Sequence, residues 1–422
     1  MIRKRRILFV TFVSLTVLAF AVSTASAEKI FKLGLVGPMT GPAAKIGEEF
    51  DGSVKMALEE IDYTIGDYKI EIVYIDSQSD PAKATNAYAE AVERGGIQAS
   101  VMNWHSSVAV ATMEVTAQYK IPHFWAFGAA STVNDKWVSD PEKYGYWVGK
   151  AWPYPAKLIV GYRDVLEDAI KEGVWKPSEK LLAVACEETD WGRDTGAGFK
   201  RQFESAGWKL FSEDYFPIQQ TDFYPLMSKW KNAGVTAICT SSSTAPVAAA
   251  FIKQAGETGV SSQAMISSDG LGWVGEWYKL TGRSSDGVLD MIPQLTTPAA
   301  KKWAKDFKKE YGFIPSPSSG GLSYDGIRYW IKIARRAIEK HGKLDSESIY
   351  EVFQSEVWNG KLTFTEADGA IIMKRFRYAM DTMPDPVVGR DDYYFPVIQY
   401  KRGKGNIVYP PDWAETKLAI PK

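Results

Sequence analysis

The residues able to do chemistry in this 422-residue chain are few, and they do not assemble into a catalytic set. His105, His123 and His341 are the only histidines, and Cys186 and Cys239 the only cysteines. There is no HExxH and no close Cys/His pair with zinc-ligand spacing. A GxSxG nucleophile elbow and a Walker loop are also missing. Gly34, Gly37 and Gly41 do not fit GxGxxG. His105 beside Ser106 is the one faint pairing of a base with a hydroxyl. Glu187 and Glu188 are sequence neighbours on a loop, which says little about acid–base chemistry. No catalytic residue, metal site or cofactor is expected.

Binding chemistry is better supplied. The apolar run 97–102 ends in Asn103-Trp104-His105-Ser106-Ser107, where a helix begins. Ser106 or Ser107 would be its N-cap, leaving free N–H groups and the positive dipole end to hold a carboxylate. A plain helix cap is the alternative. His105 is the histidine kept near this point, whereas His123 reads as a core residue. The next run ends in Phe127-Gly128-Ala129-Ala130-Ser131-Thr132, small residues that let backbone amides approach a ligand. Further along, Cys186 to Gly192 carries Trp191, which could stack on a ligand or cover the loop. Thr240 to Thr244 is a polar patch before a helix. Ser268-Asp269-Gly270 places a carboxylate where it could pair with a ligand ammonium, or simply make a turn. Neutral donors on one side and an acid on the other would suit a zwitterion.

These clusters must be positioned by alternating strands and helices. Strands at 30–36, 69–75, 97–102 and 121–127 are separated by helices at 47–61, 81–94 and about 106–119. That order calls for a parallel sheet covered on both faces, with ligands beyond the carboxyl ends of its strands. After the Pro- and aromatic-rich stretch Trp147 to Pro155, a second series begins. It has strands at 181–186, 208–216, 235–240, 263–267 and 288–292, and helices at 156–172, 194–206, 222–233, 246–257 and near 273–280. Helices near 298–311, 322–340 and 345–354 then break the alternation, followed by short strands at 361–364, 395–400 and 406–409. The fold class expected is α/β, two doubly wound lobes joined by a three-strand hinge. The first lobe takes 28–153 and the returning helices 297–354. The second takes 154–296 and the strands and tail 355–422.

At the N-terminus, Arg3, Lys4, Arg5 and Arg6 precede the apolar run Ile7 to Val22 and the small residues Ser23 to Ala27. This pattern is an export signal cleaved after Ala27. The run is shorter than the ~20 residues of a spanning helix, and no Cys follows for a lipid anchor. Removing residues 1–27 takes away four positive charges, so the formal charge moves from −1 to −5. That balance points to neither nucleic acid nor an anionic membrane as partner. Cys186 and Cys239 could be neighbours in one sheet, bridged or free.

Taken in order, several stretches resemble the type I periplasmic binding proteins of branched-chain amino acid and amide transporters. They are Leu33-Gly34-Leu35-Val36-Gly37-Pro38-Met39-Thr40-Gly41-Pro42 with Gly47 and Phe50, and Asp76 to Lys83. Trp191-Gly192-Arg193, Gly198-Phe199, Thr221-Asp222-Phe223 and Tyr324-Asp325 follow. The resemblance implies that Ser106, Ser107, Ala129, Ala130 and Ser131 grip a ligand carboxylate. It implies that Asp269 holds an ammonium group and that Trp191 closes over the ligand. The chain departs from the family where Trp191 replaces a usual Tyr and Ile46 a usual aromatic. Trp104, Trp125 and Trp273 add bulk near the cleft. The expectation is a monomeric periplasmic solute-binding protein that closes on an amino acid or related small carboxylate and serves an ABC permease. An aromatic carboxylate, an amide, urea, or an exported α/β hydrolase are the alternatives.

Overall fold

The protein is described by a computed structural model covering residues 29–421; the export signal expected at 1–27 lies outside these residues. Apolar runs become the central strands of two sheets. In the first sheet, β1 (Lys29–Gly37), β3 (Tyr68–Asp76), β4 (Ala99–Val101), β5 (His123–Ala126) and β6 (Trp147–Lys150) run parallel. The hairpin partner β2 (Thr64–Ile65) sits at the edge, giving the order β2-β3-β1-β4-β5-β6. In the second, β7 (Leu181–Glu187), β8 (Lys209–Phe216), β9 (Ala237–Ser241), β10 (Met265–Asp269) and β11 (Leu289–Asp290) are parallel. A separate two-stranded ribbon, β12 (Phe364–Thr365) with β13 (Arg375–Phe376), lies apart. The strands β14 (Val397–Lys401) and β15 (Lys404–Tyr409) join the second sheet antiparallel beyond β11. Near-continuous burial along β1, β7, β9 and β10 reflects helices on both faces.

Local signals set the helix starts. Asp80 accepts from the Lys83 N–H at 2.9 Å, and Pro81 opens the helix Pro81–Glu93. Thr189 caps Asp190–Ser205 by accepting from the Gly192 N–H at 3.2 Å. At Ser106–Tyr119 the cap residue is His105, so Ser106 and Ser107 stand inside the first turn. The serines still supply the helix's unpaired amides.

β6 falls inside the stretch read from sequence as a connection, because four residues buried on both faces show no alternation. Tail placement also differs from expectation. The Trp358 indole donates to Val148 O at 2.8 Å and the Tyr378 hydroxyl to Lys150 O at 2.6 Å. Residues 358–378 therefore stay on the first sheet, and β14 and β15 reach the second.

The chain passes between the sheets after β6, after β11 and before β14. Two of these crossings are pinned together by charge. Lys150 and Asp385, both fully buried, form an ion pair at 2.7 Å, and Lys157 meets the other Asp385 oxygen at 3.0 Å. Lys150 N–H also donates to Pro384 O at 2.8 Å. Cys186 and Cys239 are free and buried. The register sets Cys186 against Ser241 and Cys239 against Val184, two residues apart, where a bridge has no suitable geometry. No helix among the described residues is long and apolar enough to cross a membrane.

Candidate functional site

The carboxyl ends of β4, β5, β7, β9 and β10 lead into loops that face one another, the location at which open α/β sheets bind ligands. Between them lies a narrow cavity. Trp104, His105, Ser106, Ser107, Phe127 and Trp152 line it from the first half and the crossing. Glu187, Thr189, Trp191, Ser243 and Trp273 line it from the second half.

Aromatic rings dominate the walls. Trp273 is the meeting point: Trp104 lies edge-on to it at 5.0 Å, Trp191 tilted at 5.7 Å and Trp152 edge-on at 6.1 Å. Phe127 packs on Trp104 at 5.7 Å. Two indoles are oriented by their N–H groups. Trp191 Nε1 donates to Ser241 Oγ at 2.7 Å and Trp104 Nε1 to Ser243 O at 2.9 Å. The Nε1 atoms of Trp152 and Trp273, and Nε2 of His105, are buried without a hydrogen-bond partner.

Donors also come from the helix Ser106–Tyr119. Its first intrahelical bond runs from Ala109 N–H to His105 O at 2.9 Å, which leaves the amides of Ser106, Ser107 and Val108 at the positive helix end. Ser106 Oγ accepts from Ala130 N–H at 3.0 Å, tying the β4 and β5 loops together.

Ser243 crosses the cleft with two bonds, to Trp104 and His105, and holds Glu187 on its own side. Its carbonyl takes the Trp104 indole, and its Oγ lies 3.2 Å from His105 Nδ1 and 2.8 Å from Glu187 Oε2. Its amide donates to the same Glu187 oxygen at 2.6 Å, while Thr189 Oγ donates to Oε1 at 2.7 Å. Burial pushes the Glu187 carboxyl up, and these three donors pull it back. Burial also pushes His105 down to about 4, so the ring is neutral at pH 7. A serine protease-like relay would aim the hydroxyl proton at the histidine; here the Ser243 hydroxyl donates its hydrogen bond to Glu187 Oε2. The arrangement ties the His105, Ser243 and Glu187 side chains into one hydrogen-bonded chain across the cleft.

Of the residues expected from sequence, the structure brings Trp104, His105, Ser106, Ser107 and Trp191 together on the cavity. Ile46 is packed in the first core and Ala129 in the wall behind. The Ala130 amide serves Ser106, and the Ser131 amide donates to Asp194 at 2.7 Å across the cleft, so neither is free for a carboxylate. Asp269 ends β10 but is not a cavity wall. Burial, with the Asp290 and Glu187 charges nearby, pushes its carboxyl well above the usual range. The acid on the cavity is Glu187, noted in the sequence only as a loop neighbour of Glu188. Ser243 lay within the polar patch, and Trp273 and Phe127 near strand ends. Trp152 carried no signal, because a crossing has no periodicity to read. Among the described residues, no group of three His, Cys, Asp or Glu side chains is placed to share a metal ion.

The family model described as periplasmic binding protein matches residues 31–376. A Leu/Ile/Val-binding protein homolog 6 from Brucella melitensis biotype 1 is 24% identical over 356 residues, covering 82% of this chain and 85% of its own. Among solved structures, a leucine-binding protein from Thermotoga maritima superposes with a TM-score of 0.67 at 19% identity, covering 90% of this chain and 99% of its own. A solute-binding protein of an ABC transporter from Rhodopseudomonas palustris BisB5, in complex with 3,4-dihydroxybenzoic acid, gives 0.69 at 20%, covering 88% and 93%. At these identities the solved structures speak for the fold.

Proposed function

The chain belongs to the periplasmic binding protein family, and from that premise we propose that it captures an aromatic carboxylate of benzoate size and presents it to the permease of an ABC importer. The observation that carries the reading is the cavity wall: four indoles and a phenyl ring beside the free amides that open the helix Ser106–Tyr119. A flat ring gains from apolar burial and edge or face contacts with indoles. Its carboxylate takes the amides of Ser106, Ser107 and Val108 at the positive end of that helix. The dihydroxybenzoate held by the Rhodopseudomonas relative is in keeping with this class.

One observation favours a second reading, an α-amino acid: Glu187 puts an acid on the cavity. Its oxygens already accept three donors, so an ammonium group would have to compete for it. The leucine-binding relative keeps this reading in view.

In either case the ligand is bound at one site per chain and released unchanged. The signal directs export and is then removed after Ala27, and closure of the two halves supplies the shape that a permease recognises. A thermal-shift series with benzoate, 4-hydroxybenzoate, L-leucine and L-phenylalanine tests the assignment. The aromatic acids are expected to raise the melting temperature most, as mass action on a bound native state requires. Trp191→Ala is expected to weaken 4-hydroxybenzoate by about tenfold, equivalent to roughly 1.4 kcal/mol of lost ring contact. A larger shift with L-leucine than with either benzoate would favour the amino-acid reading.

A further inference from the structure

Outside the ligand cavity, a fully buried carboxylate bridges the two halves. Glu49 lies on the helix Ala44–Glu59 of the first half, among the core residues Ile46, Phe50 and Val54. An apolar side chain would pack there at no electrostatic cost, so a carboxylate needs a reason. Its Oε2 accepts the Ser316 N–H at 3.0 Å and lies 2.7 Å from Ser319 Oγ. Its Oε1 accepts the Gly275 N–H at 3.3 Å. Gly275 follows β10 and belongs to the second half, whereas residues 316 and 319 pack against the Glu49 helix.

The same serines reach further into the second half. Ser316 Oγ donates to Gly272 O at 3.0 Å, and Ser319 Oγ to Trp273 O at 2.5 Å. Three backbone groups of residues 272–275 are thus held by Glu49, Ser316 and Ser319, all fully buried. The approach is close: a Cβ on Gly275 would lie 2.2 Å from Ile314 O and 2.5 Å from Pro315 C. The segment so gripped carries Trp273, the ring on which the other three cavity indoles converge.

We propose that Glu49 and Ser319 are positioning residues, a clamp that grips residues 272–275 when the halves are together and fixes Trp273 as a wall of the ligand cavity. This rests on the reading that the cavity holds the ligand. A clamp made only on closure acts on escape, not on entry, because the open form lacks these bonds.

The test uses Ser319→Ala and Glu49→Ala in the full mature chain. Stopped-flow tryptophan fluorescence with 4-hydroxybenzoate, and with L-leucine in parallel, gives both rate constants. Each variant is expected to release the bound probe about tenfold faster, with the association rate within twofold of wild type. An unchanged release rate, or a loss carried by slower association, overturns the proposal. Amide hydrogen exchange at Gly275 in the ligand-free protein supplies a second readout. The halves are together in this structure, with Glu49 holding this amide, so exchange is expected to be faster in Glu49→Ala than in wild type, and equal rates overturn the clamp. Failure of wild type to bind either probe would count against the ligand reading alone, and the Gly275 amide would then decide the clamp.

Discussion

Ser319 has one hydroxyl proton and two acceptors within reach, Trp273 O and Glu49 Oε2. A proton on Glu49 completes the set, letting Glu49 donate to Ser319 and Ser319 to the carbonyl. Burial points the same way, raising the Glu49 carboxyl from the usual 4.5 to about 7 against the pull of Ser319, Ser316 and Gly275. The sign for stability follows from which state binds more protons. Below pH 4.5 the group is neutral folded or unfolded; between 4.5 and about 7 the folded form keeps a proton that the unfolded chain gives up. Its contribution is therefore fully present in acid and is lost as pH rises through 7. Urea unfolding should show wild type losing about 3 kcal/mol more than Glu49→Gln between pH 4.5 and pH 8. Parallel pH profiles would contradict this. His105 and His123 act in the opposite sense. Burial takes them from 6.5 to about 4 and about 3, so their contribution is present above 6.5 and lost as pH falls. Residues at strand ends were legible before the structure: Trp104, His105, Ser106, Ser107 and Trp191 all reach the cavity. Glu187 was not, because its partner Ser243 lies 56 positions away in sequence and only the β7–β9 pairing brings them together. Glu49 was equally silent, being one more acid on a helix with charged neighbours.

Among the elements, the parallel strands were the easiest to read, since burial on both faces makes them apolar runs bounded by polar turns. β6 escaped notice for its length, and residues 358–378 for their lack of period; their attachment depends on single hydrogen bonds from Trp358 and Tyr378. The crossings carried no sequence signal either, yet they hold the Lys150–Asp385–Lys157 cluster. Burial lowers the Lys150 pKa, and the Asp385 charge opposes that fall. Asp385→Ala leaves Lys150 buried without its counter-charge and should cost about 3–5 kcal/mol in urea unfolding. Lys150→Met should cost less, because Lys157 still faces Asp385. Equal losses for the two variants would show that the pair matters for packing alone.

At the scale of the molecule, both halves contribute to one cavity, and the bonds between them surround it. Trp104 and His105 meet Ser243, Ser131 meets Asp194, and Glu49 meets Gly275. Each of these contacts exists only while the halves are together, so a ligand that adds its own contacts to both favours that form. The aromatic character of the ligand is the central claim. A crystal structure of the protein grown with 4-hydroxybenzoate tests it most directly. The account predicts the carboxylate on the amides of Ser106 to Val108 and the ring between Trp104, Trp191 and Trp273. A cavity occupied instead by an aliphatic amino acid, its ammonium group on Glu187 or Asp269, would contradict it.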